Sequence, residues 1–378
     1  MFNNQYTVFT AVSLATLVAA CGGVDTTSPT TSGTGGAGTG SAGGTASGMT
    51  GSSTGSGPDC MAPEQACGGS CIDTSGDTAN CGSCGHSCQG GACVVSRCQP
   101  VTIATDQYGA GRIAANSAGV YWGMEPTKTP SNTSVVMYPS AGGPLIPLAL
   151  GLTNAVVALT EDSKSIYWAE GQHVTTVPVG GGAVTTLVAA MKPVTGIAVD
   201  ATSLYWAELS VGLNKMPIGG GAPVPLVSVI NDNLFYLAVN SSSVFWVETS
   251  AMVIKKISLA GGAVTTLASS AHTQELAVDE NNVYWVDSMD KQIRSVPVDG
   301  GPVALLGTTP YLPMGLAQDA ANLYISSFDA NGAILKVAKT GGNPQVIASG
   351  HGFVQSLAVD ASSVYWAGTD WMVLKVAK

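Results

Sequence analysis

Seven ten-residue blocks, beginning at Ile113, Leu159, Ile197, Leu237, Leu276, Leu316 and Leu357, align with one another without a gap. Their starts lie 46, 38, 40, 39, 40 and 41 residues apart. A sequence that repeats at such a period folds as copies of one small unit, so the period decides the architecture. Each block opens with an apolar stretch of the Leu-Ala-Val type. An Asx residue follows, at Asn116, Asp162, Asp200, Asn240, Asp279, Asp319 and Asp360. Its short side chain bonds nearby backbone and favours a turn. A Val-Tyr-Trp strand comes next, as in Val283-Tyr284-Trp285, and then a third strand such as Ile293-Arg294-Ser295-Val296. Gly pairs at 142–143, 181–182, 220–221, 261–262, 300–301 and 341–342 precede a fourth strand such as Ala263-Val264-Thr265-Thr266-Leu267. Paired glycines supply the positive φ that tight hairpin turns need.

Four short strands per unit and seven units predict an all-β, seven-bladed β-propeller of four-stranded blades. The small residues of the first strand suit a crowded central channel, and the Tyr-Trp pair supplies bulk between blades. The seventh repeat stops at its third strand, Val373-Leu374-Lys375-Val376. The missing fourth strand matches Gln99-Pro100-Val101-Thr102-Ile103-Ala104, so an N-terminal strand is expected to close the ring and remove an open edge. Pairing of that strand elsewhere would leave the alternative, a six-bladed propeller with extra strands.

The chain ahead of the repeats has three parts. Residues 1–20 contain a short apolar run ending in small residues, the pattern of a secretory signal. Residues 21–59 are almost entirely Gly, Ser, Thr and Ala, too polar to offset their own ordering entropy. They read as a flexible tether with a mean reach on the order of 30–35 Å. The strings Gly33–Gly38 (GxGxxG) and Gly51–Gly55 (GxSxG) lie in this tract without flanking strand or helix, and carry no chemistry. Residues 60–98 hold Cys60, Cys67, Cys71, Cys81, Cys84, Cys88, Cys93 and Cys98. An even, dense set behind a secretory signal predicts four disulfides in a small module ahead of the propeller (99–378), with connectivity open. Zinc at Cys81, Cys84 and His86 is the competing use of these side chains.

Val18-Ala19-Ala20-Cys21 resembles a bacterial lipobox, which implies cleavage before Cys21 and lipidation of it. Gly22, rather than Asp, then favours the outer membrane by resemblance to Gram-negative lipoproteins. The stretch Cys67-Gly68-Gly69-Ser70-Cys71-Ile72-Asp73, with Asn80-Cys81-Gly82-Ser83-Cys84-Gly85, resembles a Cys-rich module of myxobacterial-type surface lipoproteins. The Asp-x4-Tyr-Trp spacing with a Gly-rich turn resembles YWTD, NHL-type and TolB-like propellers. That resemblance implies a fold and leaves the ligand open.

Net charge is −10, which excludes nucleic acid as a partner. Glu170, Glu208, Glu248 and Asp287 recur two residues after the Tyr-Trp aromatic, on the face of the fourth-to-first-strand loops. They form either a rim for a cation such as calcium or a basic partner, or a structural hydrogen-bonding series, as the YWTD resemblance implies. His173, His272 and His351 are expected in loops of the same face, where a His–Glu pair could do acid–base work. Trp371 breaks the repeat pattern beside Asp370 and is a candidate contact residue. The inward strand offers no Glu, Asn or Asp set for a metal, and no catalytic set or cofactor motif is legible. The expectation is a lipid-anchored binding scaffold for a protein, small molecule or glycan, with a lactonase-like hydrolase or lyase as the alternative.

Overall fold

The structure, a computed structural model, describes residues 59–124, 133–228, 234–269 and 272–378. Residues 1–58 fall outside it, and with them the signal segment, the Cys21 lipidation site and nearly all of the tether.

Seven four-stranded antiparallel sheets form the propeller. Blade 5 shows the plan: Thr273–Val278, Asn282–Asp287, Gln292–Pro297 and Ala304–Thr308 pair in sequence order from the channel outward. Each innermost strand touches the innermost strand of the next blade, and the seventh touches the first. In blade 7 the strands Val354–Val359, Ser363–Gly368 and Val373–Ala377 are joined by Val101–Ala104, the expected closing strand. Its register pairs Ala104 with Val373 and Val101 with Lys375. Blade 1 then packs on blade 7 through Trp122 and Ile113 against Ala358, Tyr365 and Ala367. Backbone pairing inside blade 7 and apolar packing between blades 7 and 1 therefore close the ring at two different places.

The repeat spacing has a direct cause. Asp200 accepts the backbone N–H of Thr202 and Ser203 through one carboxylate oxygen, and the Tyr205 hydroxyl through the other at 2.7 Å. The same clasp joins Asp162 to Tyr167, Asp279 to Tyr284, Asp319 to Tyr324 and Asp360 to Tyr365. A turn acceptor and a phenol five residues later can meet only if the hairpin keeps one length. Blade 4 lacks the clasp, because Asn240 faces Phe245 there. Two clasps also tie neighbouring blades. Lys339 of blade 6 reaches Asp279 of blade 5 at 2.9 Å, and Lys378 of blade 7 reaches Asp319 of blade 6 at 2.9 Å. The tryptophans Trp122, Trp168, Trp206, Trp246, Trp285 and Trp366 are fully buried between sheets, with Ile325 in that position of blade 6.

The eight cysteines of the module form four disulfides: Cys60–Cys71, Cys67–Cys84, Cys81–Cys93 and Cys88–Cys98. Cys81 and Cys84 thus belong to different bridges. His86 places one ring nitrogen 2.6 Å from the Cys81 carbonyl and the other 2.9 Å from the Lys378 carbonyl. It sits between the module and the end of the propeller's last strand. Arg97 and Cys98 line a groove there with Lys336, Gln345 and Ala377.

Candidate functional site

The acidic series is enclosed rather than displayed. Glu170, Glu208 and Glu248 are 7–8% exposed and Asp287 is 1% exposed. Trp206 donates its indole N–H to Glu208 at 3.0 Å, and Trp246 donates to Glu248 at 3.3 Å. Glu208 also accepts from Asn214 and from the Met191 backbone N–H, which belongs to the loop entering its own blade. Glu248 pairs with Lys255 at 2.7 Å. Asp287 accepts the Met289 and Asp290 backbone N–H groups at 3.1 Å each. Burial pushes the Glu170 carboxyl above its ordinary range, against the pull of the Trp168 indole and nearby His173. At Glu208, Glu248 and Asp287 these contacts fasten indoles, loops and turns, whereas one buried oxygen of Glu170 and the Trp168 indole N–H have no hydrogen-bond partner among the described residues.

The three histidines stay apart in the fold. His173 opens the third strand of blade 2 opposite Glu170, His272 precedes blade 5, and His351 precedes blade 7. None forms an ion pair with a carboxylate among the described residues. The His351 ring lies 5.5 Å from the Trp366 ring, and burial lowers its pKa while Asp370 opposes that shift.

What the loop face does display is apolar. Trp371 is 42% exposed, and its ring lies 5.3 Å from that of Tyr108, itself 41% exposed. Phe353 packs on Phe328 at 4.9 Å, and the Phe328 N–H donates to the carbonyl of exposed Leu312. The backbone binds this arc together: Gln107 N–H donates to the Trp371 carbonyl, and Thr369 N–H donates to that of Phe353. Leu312 and Phe328 come from blade 6, Phe353 and Trp371 from blade 7, and Tyr108 from the loop into blade 1. Farther round the same face, Met191, Val211, Met252 and Met289 are exposed, Met191 by 85% and Met289 by 68%. Among the described residues, the first-to-second-strand turns on the opposite face expose no large apolar side chain. Trp371 holds a φ of 62°, at a turn position where Met252 of blade 4, Lys291 of blade 5 and Gly332 of blade 6 are also at positive φ, so this conformation belongs to the repeated turn.

The channel carries one carboxylate and one guanidinium that no repeated position announces. The residues immediately before the seven blocks form one layer: Arg112, Ala158, Gly196, Tyr236, Glu275, Gly315 and Ser356. In every blade except the first, the inner strand has a register irregularity at this level, for example between Thr273 and Leu276. Such irregularities re-aim side chains. Arg112, Ala158, Tyr236, Glu275 and Ser356 line a cavity of about 120 Å³ together with Thr195. Glu275 accepts the Leu316 backbone N–H at 2.8 Å, and enclosure pushes its pKa up to about 7 against the opposing pull of Arg112. Tyr236 sits at a φ of 54°, its phenol also raised by burial. Gly315 is closely packed: a Cβ there would come within 2.7 Å of the Ser326 hydroxyl. The signal in the sequence was departure from pattern at one fixed position beside the blocks.

No protein-family model and no curated protein matches this sequence. Solved structures do share the fold. A streptogramin B lyase is 13% identical with a TM-score of 0.60, covering 74% of this chain and 96% of the lyase. A selenomethionine-substituted virginiamycin B lyase from Staphylococcus aureus is 12% identical with a TM-score of 0.60, covering 74% and 98%. The WD40 β-propeller domain of Doa1 is 14% identical with a TM-score of 0.60, covering 74% and 95%. At these identities the likeness extends to the propeller fold, which serves unlike purposes in these proteins.

Proposed function

We propose that this chain is a cell-envelope lipoprotein, anchored through lipid on Cys21 at the outer membrane, whose propeller binds a partner on its loop face. The observation that carries this reading is the apolar arc of exposed Leu312, Phe353, Trp371 and Tyr108, backed by half-buried Phe328 and extended by Met191, Met252 and Met289. An apolar surface of this kind on one face marks an interaction site. Aromatic anchors supply contact area, and the unbranched methionines adapt to a partner's shape. The partner class that fits is a protein or a glycan with an apolar face. The arc lies at the opposite end of the last blade's strands from the module, which meets the propeller at Lys378. The hydrolase or lyase alternative lacks a comparable observation, because the three loop histidines stand on blades 2, 5 and 7 without a shared carboxylate.

The test is photo-crosslinking of the full chain in its native envelope. A photoreactive side chain replaces Met252 or Phe353 in one set and Val224 or Leu305, on outer strands, in another. A discrete adduct from the loop-face set alone supports the reading. Equal labelling from both sets, or none from the loop face, refutes it. Cys21→Ser should in parallel shift the protein from the membrane to the soluble fraction.

A further inference from the structure

The channel layer presents two opposite charges that do not meet. Arg112 stands on blade 1 and Glu275 on blade 5, across the ring from one another. The guanidinium makes no hydrogen bond or ion pair with another described side chain. Glu275 receives one hydrogen bond, from the Leu316 backbone to Oε2, and no other among the described residues reaches the carboxyl. Both side chains are half-buried on the channel wall, where opposite charges ordinarily pair. Here the pair is held open. The small side chains of Ala158 and Ser356 line the gap between them. Tyr236 adds a phenol from blade 4, and Thr195 and Ser356 add hydroxyls.

We propose that this cavity binds a small zwitterion, a free α-amino acid with a short side chain, its carboxylate on Arg112 and its ammonium on Glu275. A guanidinium fork matches a carboxylate in two parallel hydrogen bonds. A carboxylate facing it across a gap takes the opposite end of the same molecule. The cavity of about 120 Å³ has room for a molecule of a few heavy atoms such as glycine or alanine. This site is separate from the loop-face arc, so failure of either proposal leaves the other standing.

The experiment is calorimetric titration of the full chain with glycine, with acetate and with ethylamine. Glycine should bind on the order of tenfold or more tighter than either half-molecule, because it alone satisfies both charges. Arg112→Gln and Glu275→Gln should each weaken glycine by a similar factor. The groups facing the ligand are Arg112, Tyr236 and Glu275, and Glu275 alone changes charge near neutrality. It must be ionised to take the ammonium, so glycine should bind about tenfold tighter at about pH 8 than at about pH 6. Glu275→Gln should abolish that dependence. Acetate binding as tightly as glycine, or more weakly at the higher pH, would overturn the zwitterion in favour of a plain anion site. Absence of heat from all three would overturn the site itself. The comparison of three ligands on the unaltered chain decides the matter even if Arg112→Gln does not fold.

Discussion

Glu275→Gln should make the protein more stable, and only in neutral to alkaline solution. The carboxyl has an ordinary value of 4.5 and a folded value of about 7, raised by enclosure in the channel. The unfolded chain therefore ionises first as pH rises, and every step upward between the two values favours unfolding. The sign follows: stability linked to this group is intact below about pH 4 and is lost as pH rises through about 7. The shift corresponds to about 3 kcal/mol at pH 8 and under about 1 kcal/mol at pH 5. Gln keeps the acceptor that holds the Leu316 N–H at 2.8 Å and cannot ionise, so it removes the penalty while preserving the contact. A chain of this length gains roughly 2 °C per kcal/mol, so its melting temperature should rise about 6 °C at pH 8 and by less than about 2 °C at pH 5. Differential scanning calorimetry at both pH values, without added amino acids, measures this. An unchanged transition at pH 8, or an equal gain at both, would refute the account of Glu275 as an enclosed, reluctant charge.

Asp319→Ala should destabilise the fold by about 3 kcal/mol in urea at neutral pH, since it orphans two backbone N–H groups, the Tyr324 hydroxyl and the Lys378 ammonium. The Lys378 ammonium and the turn N–H groups hold the Asp319 carboxyl well below the usual range, so the unfolded chain protonates first on acidification. The wild-type advantage should therefore shrink below about pH 4, and a deficit that persists there would contradict the assignment. Phe245→Tyr should stabilise by about 0.5–1 kcal/mol, because the new hydroxyl can donate to Asn240 as Tyr121 donates to Asn116. A loss of stability in chemical denaturation would show that blade 4 has no room for the clasp. Trp371→Gly should leave the melting temperature unchanged or slightly higher, since glycine accepts the φ of 62° without strain. The same change should abolish the loop-face crosslink, and a marked drop in melting temperature would make Trp371 structural instead.

The fold was legible because its central contact is periodic. An Asx side chain that must meet a tyrosine hydroxyl five residues later imposes one spacing on six of the seven blades, and the paired glycines mark every outer hairpin. The closing strand was legible for the same reason, as a fourth strand found at the wrong end of the chain. The acidic series was equally regular, yet burial against Trp206, Trp246 and turn N–H groups turns that regularity into structure. The channel layer escaped notice because it repeats nothing. Arg112, Tyr236 and Glu275 each stand once, and at Tyr236 and Glu275 a register irregularity uncouples side-chain direction from simple alternation. Disulfide connectivity was illegible for a combinatorial reason: spacing alone does not rank the pairings that eight cysteines allow.

The shared blade also sets a schedule. During synthesis Val101–Ala104 emerges ahead of all seven inner strands, while its partner Val373–Ala377 emerges after them. Six blades have all their strands before the seventh can assemble, and until then the ring has two raw edges, one on blade 1 and one on blade 6. The nascent propeller is thus most vulnerable to mispairing immediately before completion. Completion is a single late event that brings the earliest and latest parts of the propeller together. A chaperone acting on this protein would have one short stretch, Val101–Ala104, to keep unpaired until the end.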